Sequence, residues 1–242
     1  MNLIIDAGNT RIKLAVFQKN NMVYNETITL NAFQEGIKFV FEKYPRINAA
    51  IVSSVGFLTK SHEDILQLYC KVHKLSYKSN LPFKNSYATP QTLGVDRIAL
   101  VAAAYYNKPH SNTLVIDTGS CITFDIINDF DEYLGGAISP GIQMRYTAMH
   151  EQTSRLPLLK REEVLDYIGN STENSMHSGV IYGVANEIDA AIDMYKSRFK
   201  DLTVILTGGD AQFLSERLKN TIFADSKFLL KGLNHLLEYN KF

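Results

Sequence analysis

Cysteine is scarce: Cys70 and Cys121 are the only two in 242 residues. A disulfide framework is therefore excluded, and both read as reduced cytosolic thiols or simply as small buried hydrophobes. Charge of one sign is equally absent, since 25 Lys plus Arg balance 25 Asp plus Glu. Without the basic footprint of a nucleic-acid binder, no such partner is expected. The most apolar stretch, IALVAAAYY at 98–106, is far too short to span a bilayer. The N-terminus lacks a basic region ahead of its first apolar residues, so neither a secretory signal nor a membrane anchor is expected, and the expected location is cytoplasmic.

Several chemical signatures are missing too. There is no G-x-x-x-x-G-K-[ST], and GFLTKS at 56–61 lacks the glycine before its lysine. G-x-G-x-x-G, H-E-x-x-H and G-x-S-x-G do not occur, and the six histidines show no zinc-ligand spacing with either cysteine. Low-complexity tracts and short repeats are absent as well.

What remains is an ordinary globular composition, 45% hydrophobic and 21% charged, long enough for one large domain or two modest ones. One pattern occurs twice. LIIDAGNTRIKLAVF at 3–17 carries an apolar run to Asp6 and reverses through Gly8, Asn9 and Thr10; LVIDTGSCITFDII at 114–127 does the same at Asp117, Gly119 and Ser120. Singly, each is an Asx-type turn. Duplicated, they gain a chemical reading: the glycines permit close approach, and backbone N–H groups with Asn9, Thr10 and Ser120 donate to phosphate oxygens. A carboxylate beside such a cradle needs a cation to offset like charge, which makes Asp6 and Asp117 candidate metal ligands.

Hydrophobic spacing orders the rest. Strands are expected near 2–7, 11–18 and 22–30, with QKNN as the second connection. A helix through Phe33, Ile37, Val40, Phe41 and Tyr44 follows, stopped by Pro45. AAIVSSVG reads as a buried strand, SHEDILQLYCKVHKL as a helix opened by Ser61 or His62, residues 78–93 as an exposed loop and GVDRIALVAAAYYN as an apolar helix. The second half repeats the order: strands near 113–119, 121–128 and 132–138, then helices through 142–156 and 173–199. TVILTGG forms a further strand, and AQFLSERL and SKFLLKGLNHLLEY close the chain. The pattern predicts an α/β fold of two duplicated domains, 1–110 and 111–242, each a mixed β-sheet flanked by helices. LTGGD at 206–210 suits a base or ribose lying against paired glycines, or a simple flexible connection. Two Asp-Gly elbows with such a loop resemble the ribonuclease H-like, actin-like ATPase fold of the sugar kinase, Hsp70 and actin superfamily, which implies ATP held between two duplicated domains.

DAGNTRIK at 6–13, YATPQTLGVDR at 87–97, IDTGSCITFD at 116–125, GGAISPG at 135–141 and the late TGGD together resemble the type III pantothenate kinases from first strand to last helix. That resemblance implies ATP-dependent phosphorylation of pantothenate, with Mg²⁺ and a monovalent cation, K⁺ or NH₄⁺. It implies that Asp6, Ala7, Gly8, Asn9, Thr10, Arg11, Ile12 and Lys13 form the first phosphate loop, Asp6 serving Mg²⁺, and that Ser120, where the family more usually has threonine, contacts ATP. It places the monovalent cation at Asp117, the pantothenate site at Tyr87, Gly94, Val95, Asp96, Arg97 and Thr172, and the catalytic base at Asp96. A homodimer with that pocket near the subunit interface is also implied.

The residues alone leave alternatives open. Asp96 starts a helix, where a carboxylate is favoured by capping and by the dipole. Arg97 is either a solvated charge or a fork for the substrate carboxylate, and Thr172 reads as the cap of the long helix. Tyr87 reads as exposed without evident packing. Two rival functions are a non-enzymatic accessory factor of gene expression, described among relatives of this family, and a small sugar or acyl-acid kinase. The neutral charge disfavours the first, and LGVDR beside YATP the second.

Overall fold

The Asp6 elbow is the turn of a hairpin. In the computed structural model, which describes residues 1–8, 11–54, 58–164 and 166–241, β1 (Asn2–Ala7) pairs antiparallel with β2 (Ile12–Gln18). β3 (Asn21–Ile28) continues the meander through a turn at Lys19, whose φ of 55° lies in the left-handed region. The expected stripe of α1 (Phe33–Lys43) is buried at Phe33, Ile37, Val40 and Phe41. After it, β4 (Ala49–Ser54) runs parallel to β1, and β5 (Lys71–Lys74) runs parallel to β4.

β5 corrects the sequence reading, in which 61–75 was one helix. The helix α2 (Lys60–Gln67) is shorter and starts from Thr59, whose hydroxyl and backbone make a capping box with His62. Residues 71–74 leave the helical path because pairing with Ala49–Val52 satisfies their backbone at the sheet edge. The short β6 (Lys84–Asn85) and α3 (Val95–Asn107) follow, and α3 is buried from Arg97 through Ala104.

The same order recurs. β7 (Thr113–Thr118) pairs antiparallel with β8 (Cys121–Ile127), which neighbours β9 (Glu132–Pro140). α4 (Ile142–Glu151) and α5 (Thr172–Arg198) follow. α4 stops short of the expected 156: the Thr153 hydroxyl donates to the Met149 carbonyl at 2.8 Å, and the Leu156 carbonyl turns to His150 Nδ1 at 2.7 Å. β10 (Thr203–Thr207) runs parallel to β7, α6 (Ala211–Ser215) follows, and β11 (Phe223–Ala224) runs parallel to β10. Strand order β3-β2-β1-β4-β5 in one sheet is matched by β9-β8-β7-β10-β11 in the other. The duplication in the sequence is thus a duplication of topology.

Two compact units result: Met1–Pro109 with Asp131–Tyr133 and Lys227–Phe242, and His110–Phe130 with Leu134–Ser226. The final helix, α7 (Phe228–Tyr239), packs on α3, β1 and β4 of the first unit. The domain expected over 111–242 therefore does not keep its last helix. Buried Asn2 on β1 secures it, its Nδ2 donating to Asn234 Oδ1 at 2.7 Å and Glu238 Oε1 at 2.6 Å. α7 crosses α3 closely at Gly232, where a Cβ would lie 1.9 Å from the Ala99 carbonyl oxygen. Gly232→Ala should therefore cost about 3 kcal/mol in urea unfolding, the upper end of overpacking penalties, because backbone rather than a side-chain tip must move. A loss under about 0.5 kcal/mol would mean that the two helices separate freely.

Candidate active site

β1 carries Asp6 to its end, where the residue is 7% exposed. Asp6 faces Lys13 across the hairpin, with Nζ 3.7 Å from Oδ2. Burial pushes the Asp6 carboxyl up to about 6, the Lys13 ammonium opposes that rise, and the charge of Asp96 adds to it. Ala7 and Ile12 pair at the base of the turn, and the Gly8 N–H donates to the Arg11 carbonyl at 3.1 Å. Asn9 and Thr10, expected as phosphate donors, lie outside the described residues.

Asp96 sits in the first turn of α3, one residue after Val95 opens it. Its Oδ1 accepts the Arg97 N–H at 2.8 Å. A Cβ on Gly94 would come within 2.4 Å of that oxygen, so glycine leaves the room the carboxylate occupies. Arg97 is 5% exposed, which removes the solvated-charge reading. Its guanidinium carbon lies 5.5 Å from the centroid of the Tyr87 ring, and that ring stacks on Tyr133 at 6.1 Å and 4°. Tyr87 is thus half-buried and packed, contrary to its reading as an unpacked loop residue. Tyr133 had no signal in the sequence, because β6–β9 pairing brings it there from far along the chain.

In the second unit Asp117 faces Thr123 in register. The two elbows thus differ: a lysine opposes the first carboxylate and a hydroxyl-bearing residue the second. The Gly119 N–H donates to the Cys121 carbonyl at 3.0 Å. Ser120 is exposed, and its carbonyl accepts the Gly141 N–H at 3.1 Å, which sets the N-terminus of α4 beside the elbow. At Gly208, φ is 101°, and a Cβ there would lie 2.4 Å from Asp117 Oδ1 and 2.6 Å from the Thr118 backbone. Only glycine suits this close approach. The Asp210 N–H donates to the Thr118 carbonyl at 3.0 Å, so the TGGD loop is held against the end of β7. Thr172 is exposed in the first turn of α5, but the cap is Ser171, whose Oγ accepts the Asn174 N–H at 3.1 Å.

Among the described residues no group of three His, Cys, Asp or Glu side chains could hold a metal ion.

Two units that share a five-strand order, each with an aspartate near the end of its central strand, define an α/β fold of duplicated topology, shared with chains described as sugar kinases. A Listeria monocytogenes chain described as an N-acetylmannosamine kinase superposes with a TM-score of 0.56 at 14% identity, covering 98% of this chain and 99% of that one. A Campylobacter jejuni chain described as a Baf family transcriptional activator superposes at 0.66, with 23% identity and 98% of both chains covered. At these identities the likeness is one of fold. The sequence goes further: residues 2–194 match the model of the type III pantothenate kinases. The type III pantothenate kinase of Christiangramia forsetii is 49% identical over 241 residues, covering 100% of this chain and 99% of the relative. The chain belongs to the type III pantothenate kinase family.

Proposed function

We propose that the protein transfers the γ-phosphoryl group of ATP to the primary hydroxyl of pantothenate, giving 4′-phosphopantothenate in the first step of coenzyme A biosynthesis. The observation that supports this reading is in the first unit: Asp6 is buried at the proposed phosphate elbow, and Asp96 sits in the first turn of α3 beside Arg97, which is buried against Tyr87. The Arg97 fork orients the pantothenate carboxylate, and Tyr87 with the Gly94–Val95 turn shapes the acceptor side. Asp96 takes the hydroxyl proton as the oxygen attacks the γ-phosphorus, and the bond to the β-phosphate oxygen breaks, releasing ADP. The first elbow and Ser120 of the second donate to phosphate oxygens, and Thr172 is a further pantothenate contact. Mg²⁺ held by Asp6 and K⁺ or NH₄⁺ held by Asp117 would each neutralise phosphate charge when bound.

Of the residues assigned, Asp6, Tyr87, Asp96 and Arg97 belong to the first unit and Asp117, Ser120 and Thr172 to the second. A cytoplasmic homodimer is part of the same proposal. Both cysteines are free, and no helix among the described residues is long and apolar enough to cross a membrane. An apolar groove of about 840 Å³ on the second unit, lined by Phe124, Leu134, Ile138, Met194 and Tyr195, supports pairing with a second copy.

The test is ADP release with pantothenate against glucose, acetate and no acceptor. Turnover confined to pantothenate is expected; ADP release indifferent to the acceptor, or greater with glucose or acetate, would reject the assignment, and no release with any acceptor would favour a non-enzymatic role. The same assay should run several-fold faster in K⁺ or NH₄⁺ than in Na⁺, and Asp117→Ala should abolish that preference. Equal rates in sodium-only and potassium-only buffers would remove the monovalent site.

A further inference from the structure

Between α4 and α5 the described residues from 152 to 171 form neither helix nor strand. This strap is nevertheless fastened to the second unit. Gln143 Nε2 donates to the Leu159 carbonyl at 3.0 Å, and the Ser178 hydroxyl donates to the Tyr167 carbonyl. Two ion pairs add to these. Arg161 of the strap pairs with Asp210, and Arg217 pairs with Glu163 of the strap. Both guanidinium groups lie over the Phe213 ring of α6, at 4.7 Å and 3.7 Å from its centroid. The aromatic face and the acid together fix where Arg161 can point.

Asp210 follows the Gly208–Gly209 pair, and its backbone is tied to the end of β7 beside the second elbow. A carboxylate there is costly for two reasons. Burial raises its pKa, an effect that Arg161 opposes. A bare negative charge next to a triphosphate also repels it.

We propose that Arg161 is a positioning residue for the nucleotide: by pairing with Asp210 it cancels the carboxylate beside the TGGD loop and lets ATP approach. The inference rests on the reading of the paired glycines, Gly208 and Gly209, as part of the nucleotide site, with Asp210 next to them making no substrate contact. Arg161 itself touches neither substrate, and its effect passes through Asp210.

The experiment uses the full chain as Arg161→Met, Arg161→Lys, and Arg161→Met combined with Asp210→Asn. Steady-state constants are measured for both substrates, together with amide hydrogen exchange over 206–211 with and without ADP. Arg161→Met should raise KM for ATP about tenfold, leaving kcat and KM for pantothenate within about twofold. Arg161→Lys should fall in between, keeping charge but losing the fork. Adding Asp210→Asn to Arg161→Met should return KM for ATP to within about twofold of the parent, because the uncompensated charge is gone. A clamp that only braced the strap would lower stability without this split, and the second substitution would not rescue it. An unchanged KM for ATP in Arg161→Met, or a raised one that persists in the double variant, overturns the proposal. If ADP does not slow exchange at 206–211 in the parent protein, the nucleotide-loop reading falls with it. Slowed exchange with an unchanged KM removes the role of Arg161 alone.

Discussion

Asp96→Asn should lower turnover on pantothenate by about 10²–10⁴-fold, the usual range for a general base, with a loose phosphoryl transition state favouring the lower part. ATP affinity should stay within about threefold, because the proposed phosphate elbows do not include this side chain. The substitution preserves shape: asparagine Oδ1 can still accept the Arg97 N–H that Asp96 accepts at 2.8 Å. A role limited to capping α3 predicts the opposite outcome, since asparagine caps nearly as well as aspartate. A folded Asp96→Asn enzyme with near-parental turnover would remove Asp96 as the base.

Asp6→Asn should separate function from stability. Burial raises the Asp6 carboxyl from an ordinary 3.8 to about 6, so ionising it in the folded chain costs about 3 kcal/mol. The sign follows from linkage. The folded state binds the proton more tightly than the unfolded state, so the Asp6 contribution is most favourable below the unfolded value. It is lost as pH rises through about 6 and is flat above that. At pH 8 with chelator present, Asp6→Asn should melt at the same temperature as the parent or higher, and its stability should lose that pH slope. Lys13, with its side chain 44% exposed, remains solvated without its partner. Turnover with Mg-ATP should nevertheless fall about 10²-fold, the scale of removing one electrostatic contact to a transferring group. A variant that keeps its turnover, or that melts well below the parent at pH 8, would show that Asp6 serves the fold instead.

The elbows were readable because their pattern is local: a carboxylate and a glycine two residues on in sequence lie together at a strand end. α1 and α5 were readable because a buried stripe repeats at helical spacing, as at Val180, Val184, Ile188 and Ile192. β5 was not. Ile65, Leu66, Leu68, Tyr69 and Val72 fit a helical stripe, and only pairing with β4 decides for a strand. Arg97 and Tyr87 show the same limit at the site. Their spelling marked them, but Tyr87 stacks on Tyr133, brought from another part of the chain, and Arg97 in turn lies against Tyr87. The Arg161–Asp210 pair had no spacing signal, since 49 residues separate its partners. An amphipathic stripe on α7 likewise does not name the sheet it will cover.

The return of α7 to β1 also bears on how a ribosome delivers this protein. Residues 110–226 are made after most of the first unit, yet they hold every strand of their own unit's principal order and can close their core as soon as they emerge. The earlier-made β1, β4 and α3 must wait with an apolar face open until 228–239 arrive and Asn234 and Glu238 meet Asn2. Order of synthesis and order of completion are reversed, and the half translated first carries an uncovered apolar face until the last helix is made.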